Sequence, residues 1–120
     1  MDKTQAFYHL WSDFRIPAYD DTSVPDDAQF PYITYQVITD ELDYPVYPTA
    51  SVWYKDTSWE DIDLKIIEIA GRLGQLRPIQ LDDGYMYVTK GSPFAQRMAE
   101  EDRTVKRYVL NIGVEFLTSN

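Results

Sequence analysis

The sequence predicts an α+β domain spanning residues 1–120, with a mostly antiparallel sheet of about four or five strands and two helices packed on one face. Three observations carry this reading. VKRYVLNIGVEFLT, Val105 to Thr118, alternates: Tyr108, Leu110, Ile112, Val114 and Phe116 share one side, while Arg107, Asn111, Gly113 and Glu115 fall on the other. That is the pattern of a half-buried strand. The segment after Thr57 places Ile62, Ile66, Ile69, Ala70 and Leu73 on one helical face. Finally, Asp83-Gly84 sits between short β-prone segments, a strong short-range hairpin signal.

Taken in chain order, Asp2 to Phe14 carries Ala6, Phe7, Leu10, Trp11 and Phe14 at helical spacing, with Asp2 available as a cap. Ile16-Pro17 ends that helix, and Ala18 to Gln29 reads as an acidic, solvated loop. It lacks the D-x-[DN]-x-[DN]-G pattern of a calcium loop. Phe30 to Thr39, rich in β-branched and aromatic residues, reads as a strand, and Thr49 to Lys55 as a second, joined to it by a loose connection. Thr57 and Glu60 form a capping-box pattern for the second helix. Glu60, Asp61 and Asp63 complement the positive end of its dipole, Arg72 complements the other end, and Gly74 is placed to stop it. Ile79–Leu81 and Tyr85–Lys90 form the arms of the Asp83-Gly84 hairpin. Gly91-Ser92-Pro93 breaks the second arm, and Phe94 to Arg103 reads as either helix or connector.

Composition narrows the function classes. A chain of 120 residues supports one core. With no cysteine, there is no disulfide framework, thiolate metal site or cysteine nucleophile. The N-terminal MDKTQAFYHLW lacks the order of a signal peptide, and no apolar run has the length of a membrane span, so the expectation is a soluble cytosolic protein without membrane contact. Acidic residues outnumber basic ones 20 to 11, and residues 1–60 hold eleven acidic side chains against three basic. Such a surface repels phosphate rather than gripping it.

Catalytic patterns are weak. His9 is the only histidine, no serine lies in a G-x-S-x-G elbow, and no glycine-rich phosphate loop is present. The carboxylate pairs Asp40/Glu41 and Asp82/Asp83 fall where turns favour aspartate for backbone reasons. No catalytic residue, metal site or cofactor is expected.

YITY at 32–35, SVWYKDTSWEDIDLKIIEIAGRLG at 51–74, the GSPF-Q element at 91–96 and DRTVKRYVLNIGVEFLT at 102–118 together resemble a tail terminator, or tail-to-head joining, protein of long-tailed bacteriophages. The order of these segments carries the resemblance more than any one of them. It implies a structural protein rather than an enzyme. Such a protein forms a homo-hexameric ring that caps the tail tube, stops its polymerisation and presents a joining surface to the neck. The implied partners are other copies of the chain, the major tail tube protein and a head-closure protein. The implied location is the virion, at the head-tail interface, where DNA slides through the lumen without specific binding. A head-closure or connector-completion neck protein is the alternative of the same class, and a small cytosolic enzyme or ligand-binding domain the alternative of another.

Under this reading, contacts are expected at three places. Tyr44 and Tyr47 lie in the Asp40 to Pro48 loop, which has the length and aromatic content of a docking arm and equally reads as an ordinary hairpin connection. Phe94, Gln96 and Arg97 lie in the segment after Gly91. Lys106 and Arg107 are placed to pair with the acidic first half of a neighbouring subunit, or to guard a strand edge.

Overall fold

The computed structural model describes residues 1–39 and 45–118. Its elements are α1 (Lys3–Trp11), a 3-10 turn (Ser12–Phe14), β1 (Ala18–Asp20), β2 (Tyr32–Tyr35), β3 (Thr49–Lys55), α2 (Glu60–Gly74), β4 (Ile79–Leu81), β5 (Gly84–Met98) and β6 (Val105–Thr118). The strands form one sheet in the order β1-β2-β3-β6-β5-β4. The α+β class is as expected, but the sheet has six strands rather than four or five, and it is mixed, because β1 runs parallel to β2.

The additional strand is β1, in the segment expected to be loop. Three residues are too few to show a period, and β1 is held by its neighbour instead. Ile33 N–H donates to the Pro17 carbonyl and Asp21 N–H to that of Tyr35, each at 2.8 Å. β2 is shorter than Phe30–Thr39, since pairing with β3 covers only Tyr32 to Tyr35. The largest departure is β5. The strand does not stop at Gly91-Ser92-Pro93; a register shift between Lys90 and Ala95 absorbs those residues, and pairing with β6 resumes from Ala95 to Met98. A proline lacks the N–H of a ladder donor and is tolerated at such an irregularity. The segment Phe94–Arg103 is therefore strand and then turn, not helix.

Both helices lie on the same face. Phe7 of α1 meets Phe116 edge-on at 6.2 Å, and Trp59, at the start of α2, meets Tyr108 edge-on at 5.7 Å. Phe116 and Tyr108 are eight residues apart on one strand, so their side chains leave the same side. α1 also touches β1, β2 and β4, which lie at and near opposite ends of the strand order, so the sheet curls around this helix. The core gathers Phe7, Leu10 and Trp11 of α1, Ile62, Ile69 and Leu73 of α2, and Leu110, Ile112, Val114 and Phe116 of β6.

The helix ends follow local chemistry, with one correction. Asp2 and Gln5 form a full capping box, Gln5 N–H donating to Asp2 Oδ1 and Asp2 N–H to Gln5 Oε1. The box expected from Thr57 and Glu60 does not form. Trp59 already has helical dihedrals and no side-chain cap; Glu60 N–H donates to Ser58 Oγ, and Ser58 N–H to Asp56 Oδ1. The Asp56 carboxylate thus folds the entry into a turn that puts Ser58, not Thr57, within reach of the free amides. At the other end, α2 does stop at Gly74, closed by Gln75 N–H donating to the carbonyls of Arg72 and Leu73.

Candidate assembly surface

Each strand has an inward side facing the helices and an outward side that no helix covers. Tyr19 of β1, Tyr32 and Thr34 of β2, Ser51 and Trp53 of β3, and Arg107 of β6 share the outward side, since their partners in register are one another. Phe30, Tyr32 and Trp53 form a run of rings, with centroids 5.2 and 6.2 Å apart, and Tyr19 meets Tyr32 edge-on at 6.0 Å. Burial beside Tyr19 holds the Tyr32 hydroxyl above its ordinary range. The Trp53 indole N–H donates to Thr34 Oγ1 at 2.9 Å, tying the ring to the neighbouring strand. Arg107 lies over that ring at 4.6 Å, donates to Ser51 Oγ at 3.1 Å and approaches Glu100 at 3.4 Å. An open depression of about 310 Å³ lies beside this group.

At the other end of the same face, Tyr85, Tyr87 and Leu117 project from β5 and β6, in register with Leu117, Glu115 and Tyr85 respectively. Tyr47 lies over Gly113: a Cβ there would sit 3.6 Å from the Tyr47 ring. Tyr47 is 69% exposed and Leu117 51%, and Tyr85 and Tyr87 are exposed with them. Large apolar groups standing together in water on a sheet face are characteristic of a surface that another molecule covers.

Of the residues expected at contacts, Tyr47 and Gln96 stand exposed on this outward face, Gln96 in register with Val109. Arg107 is on the face too, half-buried and engaged within its own chain. Lys106 points inward, its ammonium 5.4 Å from the Trp59 ring and bonded to the Arg103 carbonyl. The adjacent cations therefore serve opposite sides of β6. Arg97 is also inward: it lies over Trp59 at 4.5 Å, donates from Nε to the Tyr108 hydroxyl at 2.9 Å and pairs with Asp63 at 2.8 Å. Its bond to Tyr108, opposed by some burial and helped by Asp63, raises its already high pKa. Phe94 is half-buried against the core. Tyr44 lies outside the described residues.

The residues not singled out beforehand are Tyr32, Trp53, Tyr85, Tyr87 and Leu117. Their signal was present in the strands, where the positions alternating with the core were occupied by large rings and a leucine instead of charge.

A cleft of about 360 Å³ between the helices is lined by His9, Phe14, Arg72, Leu76 and Ile79 among others. Arg72 is already committed there to the Asp13 carbonyl and carboxylate. Ser12 Oγ donates to the His9 carbonyl, so the pair does not form a hydroxyl–imidazole relay. Among the described residues, no group of three or more His, Cys, Asp or Glu is placed to hold a metal, and no helix is long and apolar enough to cross a membrane. No protein-family model matches the chain, and no curated protein matches it either.

Proposed function

We propose that this chain is a structural protein of a phage tail: a ring subunit that caps the end of the tail tube, stops its polymerisation and offers the joining surface to the neck. The observation that carries the proposal is the outward sheet face, with Tyr47, Tyr85, Tyr87 and Leu117 exposed at one end and the Phe30-Tyr32-Trp53 rings at the other. Tyr47 and Leu117 stand largely in water, and covering them against a partner is worth about 1–2 kcal/mol each, less for the half-buried Tyr32 and Trp53. A closed ring uses heterologous contacts, one patch meeting a different patch on the next subunit. Six copies per ring, the tail tube protein and the neck protein as partners, and a place in the virion belong to this proposal. A net charge of −9 also suits a subunit that borders a DNA channel, because it adds repulsion rather than grip. The reading assigns the chain no catalytic turnover.

Particles assembled without the protein test it. Tail tubes of uncontrolled length are the expected result. Tubes of normal length beside heads that lose DNA would favour head closure instead, and ordinary particles would overturn both.

A further inference from the structure

Helix α2 has a second surface that neither the core nor the outward sheet face uses. Ile62, Ile66, Ile69 and Leu73 are buried beneath it. On the opposite side Glu60, Leu64, Ile67, Gly71 and Gly74 recur at spacings of three and four, so they line up as one stripe. Leu64 is 60% exposed and Ile67 68%. At Gly71 an added Cβ would meet nothing within 4 Å. The stripe therefore carries two apolar knobs followed, one turn on, by an empty seat.

Its charge is graded as well. Glu60 and Asp61 at the start have no ion-pair partner among the described residues. At the far end the Lys90 ammonium lies 3.5 Å from where a Cβ on Gly74 would stand, and Lys90 and the exposed Arg77 likewise lack an ion-pair partner among the described residues. Acid, apolar knobs and empty seat follow one another along the helix, and a base from β5 stands at its far end.

This order is complementary to itself when reversed. We propose that α2 packs antiparallel on α2 of a second copy, about a two-fold axis near Ile67. In that arrangement Leu64 enters the seat at Gly71 of the second copy, and Ile67 meets its equivalent across the axis. Glu60 reaches the Gly74 end, where Lys90 stands. A parallel pairing would put Glu60 on Glu60 and Lys90 on Lys90. The contact is isologous, the kind a two-fold dimer uses, and it concerns the protein free in solution. It does not rest on the ring reading. A helix of this length is about 22 Å long. One helix per copy buries less than about 1,200 Å², so the dimer is weak and depends on concentration.

Sedimentation of the full-length chain over a concentration series tests this, with Ile67→Asp, Glu60→Lys, Lys90→Glu and the double charge swap. A reversible monomer–dimer equilibrium is expected, weakened by Ile67→Asp by at least about tenfold. Each single charge change weakens it, and the double swap restores it. Thermal melts followed by circular dichroism keep folding separate from association, since all three side chains are exposed. A chain that stays monomeric at every concentration overturns the proposal. So does a dimer indifferent to Ile67→Asp, or a double swap no better than either single change. Hexamers unaffected by all these variants would overturn it while leaving the ring reading intact.

Discussion

Removing one oxygen, by Tyr108→Phe, measures what ties the start of α2 to the β5–β6 ribbon. The Tyr108 hydroxyl donates to Asp63 Oδ1 at 2.6 Å and accepts from Arg97 Nε at 2.9 Å, while the ring stands edge-on to Trp59. Phenylalanine keeps the ring and loses both bonds. A hydrogen bond to a charged group contributes about 1.5–3 kcal/mol, but the Asp63 side chain is 36% exposed and that of Arg97 50%, so water replaces part of the loss. The expected cost is about 1.5 kcal/mol. With an unfolding entropy of roughly 0.25 kcal/mol/K for 120 residues, the melting temperature should fall by about 6 °C. Burial foremost, then the bond to Asp63, raises the Tyr108 pKa above its ordinary 10.0, with Arg97 opposing. A raised folded-state pKa gives stability that is complete below the unfolded value and lost as pH rises through the folded one. The gap between wild type and variant should therefore be full at pH 7 and narrow above pH 10. Differential scanning calorimetry at both pH values checks this. An unchanged melting temperature at pH 7 would refute the reasoning, as would a gap that widens at high pH.

Three other substitutions probe different parts of the fold. Phe116→Ala empties a site that is 2% exposed and that joins α1 to β6 through Phe7; it should cost about 3–5 kcal/mol, read as a lower urea midpoint. At Gly84, where the β4–β5 hairpin turns beside the end of β6, a Cβ would lie 1.9 Å from the Leu117 carbonyl oxygen. Gly84→Ala must push backbone from backbone, and should cost at least about 2 kcal/mol in the same assay, far more than alanine at the open Gly71. Glu68 accepts from Arg15 at 2.7 Å and Lys65 at 3.1 Å; burial pushes its carboxyl up, but these bonds and charges together leave it below its ordinary 4.5. A lowered folded-state pKa gives stability present above 4.5 and lost as pH falls through the folded value. Glu68→Gln should therefore be less stable than wild type at pH 7, and urea midpoints should converge towards pH 3.

These internal ties bear on where a partner can act. Arg97, Lys106 and Arg107 are expected from the sequence at contacts with other molecules, yet the fold engages each of them: Arg97 with Asp63 and Tyr108, Lys106 at Trp59, and Arg107 on Trp53 with Ser51. Changing them disturbs folding as well as any contact. Tyr47, Tyr85, Tyr87 and Leu117 on the sheet, and Leu64 and Ile67 on α2, are the cleaner probes of association, because they already stand in water.

Alternation in β6 and the helical period of α2 were legible from the sequence because each repeats over many residues, so the inward faces of both elements, and much of the core, could be named from spacing alone. The hairpin was legible because turn chemistry is local, but its turn is Asp82-Asp83 rather than Asp83-Gly84: Gly84 already belongs to β5 and stands opposite Leu81. β1 was not, since three residues carry no period and the strand exists only by pairing with β2. Nor was the run of β5 through Pro93, where local residue preference argues for a break and the ladder with β6 overrides it. The separation of Lys106 from Arg107 follows from strand parity, but what each cation meets depends on Trp59 and Trp53, brought beside them by other elements. Local spacing thus determined the faces, and located the β4–β5 hairpin to within one residue. Long-range pairing alone decided the edge strand, the length of the β5–β6 ribbon, and which aromatic and charged groups remain on the surface for another molecule to cover.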